Sequence, residues 1–137
     1  MKYLFSGWCI ILMNYSISQT FFNFTLEQSK NIDEIQNLCI KKVNNNEVLN
    51  LISKEGNLYK FEDKSETPFD TLVIELKTLK YTYEASIYVR EKYFSNPYPL
   101  HIELLSYKRF LRPKYYNMVI TYNGISQPFF VKRYKNK

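Results

Sequence analysis

The chain holds one histidine, His101, and two cysteines, Cys9 and Cys39, among 137 residues. Nucleophilic catalysis with a histidine base therefore has a single candidate. His101 stands two residues before Glu103, so on an extended strand the two share a face and could form an imidazole–carboxylate pair. No strained nucleophile turn of the G-x-S-x-G kind accompanies them, and no thiol-protease signature surrounds Cys39. His101 is read as an exposed strand residue and Cys39 as a small core residue. One histidine excludes a multi-histidine metal site, and three glycines leave no glycine-rich phosphate loop. Glu62, Asp63 and Glu66 surround Lys64 and Ser65, but their order fits no EF-hand spacing and reads as a solvated acidic loop. Asn23-Phe24-Thr25 has the form of a glycosylation sequon, although the apolar neighbours Phe22 and Phe24 favour a strand. The expectation is a protein that is not an enzyme, with no catalytic, cofactor-binding or metal-ligating residues.

Chemistry of another kind, attraction to anions, is concentrated late in the chain. Gln19 to Glu75 carries a net charge of −4, whereas Leu76 to Lys137 carries +9 and ten of the 13 tyrosines. Cations interleaved with aromatics suit nucleic acid, anionic glycan or lipid headgroups. The densest stretch is Lys108, Arg109, Arg112 and Lys114, interrupted by Phe110, Leu111 and Pro113 and followed by Tyr115-Tyr116. Pro113 is unsuited to a regular ladder position, so this stretch reads as a connection able to present its cations together. Arg109 and Arg112 are the candidate fork-shaped donors, and Tyr115 or Tyr116 the stacking face. The competing reading is a set of solvated cations that keep the protein soluble. The terminal cluster Lys132, Arg133, Lys135 and Lys137 fits a frayed tail.

The amino terminus bears on the partner. Lys2 precedes the apolar run Tyr3–Met13, and Ser16-Ile17-Ser18 supplies small residues at a small-x-small site. This is the layout of a secretory signal peptide over residues 1–18, expected as an apolar helix cut after Ser18. A buried first helix or an uncleaved anchor is the other reading of the same run. Export makes nucleic acid an unsuitable partner and points to a periplasmic, outer-membrane-associated or secreted protein. With Cys9 removed, Cys39 would be the one mature cysteine, leaving no internal disulfide.

The elements that must position these residues alternate with period two. Phe22, Phe24 and Leu26 share one face; so do Leu72, Ile74 and Leu76; Tyr83, Ala85 and Ile87; Leu100, Ile102 and Leu104; and Met118, Ile120 and Tyr122. Leu38–Val43 and Val48–Ser53 read as further strands. Asn44-Asn45-Asn46 suits a hairpin loop, Lys54-Glu55-Gly56-Asn57 a tight turn, and Asn123-Gly124 a type I′ hairpin. Pro128 demotes the last run to an edge strand or bulge. The expected fold class is all-β: an antiparallel β-sandwich of about seven or eight strands, preceded by the signal-peptide helix. Its expected core includes Phe24, Leu38, Ile40, Leu72, Ile74, Tyr83, Ile87, Ile102, Leu104 and Ile120.

From Phe22 to Leu105 the order of pieces resembles the carboxypeptidase regulatory-like domain, a transthyretin-like β-sandwich of secreted and outer-membrane bacterial proteins. Gly56, Tyr59 and Phe61, then Asp70-Thr71-Leu72, stand where that family has a Gly-x-aromatic-x-aromatic turn and an Asp-Thr-Leu strand opening. The chain departs at Glu27-Gln28, where the family usually has glycine in its first strand. The resemblance implies a sandwich over residues 19–106, with 107–137 a basic loop and carboxy-terminal hairpin packed on it. It also implies an accessory role through contact with a protein partner at the cell envelope, such as an outer-membrane protein. The alternative is a binding module for an anionic glycan or lipid headgroup, using the basic, tyrosine-rich surface.

Overall fold

In the computed structural model, which describes residues 20–64, 69–88, 99–108, 110–111 and 113–137, the chain is a β-sandwich. The expected signal peptide, residues 1–18, lies outside the described residues. The strands are β1 (Thr20–Gln28), β2 (Asn37–Lys42), β3 (Asn50–Glu55), β4 (Leu58–Asp63), β5 (Thr71–Lys77), β6 (Tyr81–Tyr88), β7 (Leu100–Tyr107), β8 (Tyr115–Tyr122), β9 (Ile125–Phe130) and β10 (Lys132–Lys135). Six form one sheet in the order β3-β4-β1-β7-β8-β9, and four form the other in the order β10-β6-β5-β2. Ten strands exceed the expected seven or eight, in part because Lys132–Lys135 forms a strand of its own.

All ten expected core residues are buried, together with Leu76, Leu100 and Met118, in one cluster drawn from both sheets. Each comes from the apolar side of an alternating strand, so burial follows directly from the pleat. Neighbouring strands run antiparallel with one exception: β1 and β7 pair in parallel, Thr25 opposite His101 and Leu26 opposite Ile102. Such a pair needs a long crossover, and the five intervening strands supply it.

The turns follow their residue chemistry. Asn123 and Gly124 adopt φ of 48° and 77°, the pair of positive values that a type I′ hairpin between β8 and β9 requires. Gly56, at φ 59°, turns β3 into β4. The Asn44-Asn45-Asn46 turn forms, with Asn46 at φ 53° and bonds from the Lys42 amide to the Glu47 carbonyl (2.8 Å) and from the Leu49 amide to that of Ile40 (2.8 Å). It does not join a ladder, however. After Leu49 buries itself the chain crosses sheets: β2 pairs with β5, and β3 with β4.

Glu62 and Asp63 lie on β4, both buried, and not in a solvated loop; Glu66 lies outside the described residues. Lys132–Lys135 is strand β10, antiparallel to β6, and not a frayed tail. Val131 is buried at the crossing from the six-stranded to the four-stranded sheet. Asn136 then ties the end down, accepting from the Thr82 hydroxyl (2.6 Å) and donating to the Thr78 carbonyl (2.9 Å).

Candidate contact surface

The connection from β7 to β8 begins at a rung of two tyrosines. Tyr107 and Tyr115 are the last cross-strand partners, and their rings stack at 5.0 Å with an interplanar angle of 15°. Both belong to the outward set of their strands, opposite in parity to buried Leu104 and Met118. Beyond this rung Lys108 and Lys114 are exposed. At the turn, Phe110 and Leu111 are 91% and 92% exposed, the most exposed large apolar side chains among the described residues. Leu111 has φ 61°, in the left-handed region that a leucine seldom adopts. Arg109 and Arg112 lie outside the described residues.

Of the two tyrosines expected as a stacking face, Tyr115 is on the outer surface against Tyr107. Tyr116 is in the core and faces the opposite way. Its hydroxyl accepts from Arg133 Nη1 at 2.7 Å, and the Arg133 guanidinium lies 4.7 Å from its ring centroid and 4.5 Å from that of Tyr81. Tyr83 completes the cluster, 5.1 Å from Tyr116. Strand parity explains the split: adjacent residues on β8 must point to opposite faces. Arg133, assigned by sequence to a tail, instead joins β10 of one sheet to β8 of the other. Burial, then the neighbouring Tyr116, pushes the Tyr83 phenol up to about 12.

Phe110 and Leu111 escaped the sequence reading as site residues. The available signal was an apolar pair bracketed by cations in a segment that Pro113 marks as irregular. Apolar residues between strands are unusual there unless something covers them.

The residues with catalytic potential are dispersed. His101 Nδ1 lies 2.8 Å from the Thr25 hydroxyl, and Nε2 lies 3.7 Å from Glu27 Oε2. Both contacts run to the neighbouring strand β1, so the carboxylate beside the imidazole is Glu27 and not the Glu103 that strand spacing suggested. With Thr121 and Ser126, bonded at 2.8 Å, Thr25 and His101 form a polar row across the outer face of the six-stranded sheet. Cys39 lies on the outer side of β2 in the other sheet, so the sandwich separates it from His101. Burial, followed by nearby Glu75, raises the Cys39 thiol pKa and keeps it protonated and weakly nucleophilic. Thr25 of the sequon is engaged with His101, and Phe24 is fully buried. Among the described residues no group of three His, Cys, Asp or Glu is placed to hold a metal ion, and no helix is long and apolar enough to cross a membrane.

A small groove opens beside β6 and β9, lined by Ile87, Leu100, Ile120, Ile125 and Phe129 among others. Its described lining contains no carboxylate, amine or imidazole. The β7–β8 connection sets exposed cations and exposed apolar side chains side by side at the end of a two-strand ladder. Fold and surface together define an all-β sandwich with a basic, apolar-tipped loop. The chain matches no protein-family model, no curated protein and no solved structure.

Proposed function

We propose that this protein is a non-enzymatic accessory β-sandwich of the cell envelope that works by contact, with the β7–β8 loop as its contacting element. The observation that carries this reading is the near-complete exposure of Phe110 and Leu111 between the exposed cations Lys108 and Lys114. An apolar pair held in water raises the free energy of the free protein and is relieved when a partner covers it. The basic sequence around it selects acidic partners and speeds encounter with them. Envelope placement rests on the leader-like layout of residues 1–18.

The accessory role follows the resemblance to the carboxypeptidase regulatory-like domain. Gly56 at a positive-φ turn, inward Tyr59 and Phe61, and Thr71-Leu72 opening β5 support it. The partner by that resemblance is a protein of the envelope. An anionic glycan or lipid headgroup is the second reading, favoured by the cations that flank the tip.

Immobilised heparin serves as a generic polyanion for the test. The full chain should be retained at low salt, where screening is weakest, and Arg109→Glu with Arg112→Glu should elute at distinctly lower salt with unchanged circular dichroism. Co-elution of a folded variant with the unmodified protein would reduce the patch to a solvated surface.

A further inference from the structure

Resting on that reading of the β7–β8 loop, we propose that its tip is a wedge for an anionic bilayer surface. Phe110 and Leu111 enter the boundary between headgroups and acyl chains, while Lys108 and Lys114 meet the lipid phosphates.

Three observations converge on a bilayer. The first is the vertical order of the side chains. The apolar pair at the turn is almost fully exposed, Lys108 and Lys114 flank it in the chain, and the stacked Tyr107–Tyr115 rung closes the ladder beneath it. A bilayer presents matching layers: apolar chains, then phosphates, then an interfacial zone where tyrosine rings reside. The second is the backbone. Leu111 holds φ 61°, a conformation that glycine or asparagine adopts with far less strain. A leucine there keeps an apolar side chain in solvent despite the strain, and such outliers concentrate at contact sites. The third is charge. The chain from Leu76 onward is strongly cationic, and peripheral attachment needs both apolar insertion and attraction to anionic lipid, since either alone holds weakly. A wedge also needs no pocket in its partner, because fluid lipid closes around whatever shape enters.

The two contributions separate by experiment. The full chain is sedimented with vesicles of phosphatidylcholine plus phosphatidylglycerol, and with vesicles of phosphatidylcholine alone. Binding is expected to the anionic vesicles, weakening as salt rises. Phe110→Ser with Leu111→Ser should bind those vesicles at least about tenfold less well, because two buried apolar side chains are lost. The same variant should remain on heparin like the unmodified protein, since its cations are intact. Lys108→Glu with Lys114→Glu should fail on both supports. All these side chains are exposed, so unchanged circular dichroism is expected throughout.

Equal vesicle binding by the Ser variant would overturn the wedge and leave the basic contact reading standing. So would a protein held by heparin but absent from both vesicle pellets. Loss from heparin as well would remove both readings. If instead the unmodified protein sizes as a dimer that the Ser variant dissociates, the tip covers a second copy of the chain and the bilayer assignment fails.

Discussion

Lys42 occupies an inward position on β2, in line with Leu38 and Ile40, and is almost completely buried. Its ammonium lies 2.7 Å from Asp63 Oδ1 of β4 in the facing sheet and 3.7 Å from Glu47, with the Phe69 ring centroid at 5.2 Å. Removing one partner of such a pair strands a charge in an apolar interior. Lys42→Ala should therefore lower unfolding stability by about 3–5 kcal/mol, measured by urea denaturation. Replacing both partners, Lys42→Met with Asp63→Leu, should cost much less, because no uncompensated charge remains. The tyrosines predict a second behaviour. The folded state raises Tyr83 to about 12, first through burial, and Tyr134 to about 12 through burial and the bond from its hydroxyl to Glu84 Oε2, at 3.0 Å. Lys41 shifts the same way, its proton held by the hydrogen bond to Glu75. For groups whose folded pKa exceeds the unfolded value, the stabilisation is complete below the unfolded value and is lost as pH rises through the folded one. Stability should thus hold below pH 10 and fall between about pH 10 and 12, and Tyr83→Phe should flatten part of that decline. Tyr134 is about half exposed and contributes less, because solvent screens it. Chemical denaturation across that pH range, paired with phenolate absorbance, checks both points.

Elements at the sheet margins carry specific protection against pairing with other strands. β3 is an outer strand, exposed along its whole length, with Leu51 and Ile52 in solvent; a register shift between Leu51 and Ser53 bulges it. β9 is the opposite edge, with Ile125 and Phe130 exposed and Pro128 across from Val119. β10, an edge of the smaller sheet, has the sequence Lys-Arg-Tyr-Lys. Proline lacks the amide donor that a further strand would recruit, so Pro128→Thr should increase self-association through β9. Light scattering against concentration, with the unmodified chain as reference, measures it; unchanged scattering would show that β9 is guarded by other means. The loop from β1 to β2 is organised by one side chain. Gln28 Nε2 donates to the carbonyls of Ile32 (2.9 Å) and Asp33 (3.0 Å), and Gln28 Oε1 accepts from the Ile35 amide (2.9 Å). The Gln28 amide thus serves as a local staple that lets Ile32 and Ile35 bury.

Across the whole molecule, side-chain alternation was legible from sequence because it is a property of neighbouring residues. An extended chain points successive side chains to opposite faces, so an apolar set such as Leu72, Ile74 and Leu76 has one stable orientation. The same locality made the Asn123-Gly124 turn and the edge placement of β9 readable. Partner choice was not legible, because it depends on residues far apart in the chain. Nothing near β1 announces its parallel pairing with β7, and the Asn-rich turn looks identical whether it closes a ladder or carries the chain to the other sheet. Charge was the least readable property. Lys42, Asp63 and Arg133 are polar by type, and sequence assigns such residues to water. The tertiary structure decides otherwise, because Asp63 meets Lys42 across the sandwich and a tyrosine cluster receives Arg133. The contact loop shows the same division. Its cations and its position as a connection came from sequence, but adjacent Tyr115 and Tyr116 were sent to opposite faces by the pleat of β8. That Phe110 and Leu111 stand in solvent depends on the absence of covering contacts from the rest of the described chain, a fact only the assembled sandwich contains.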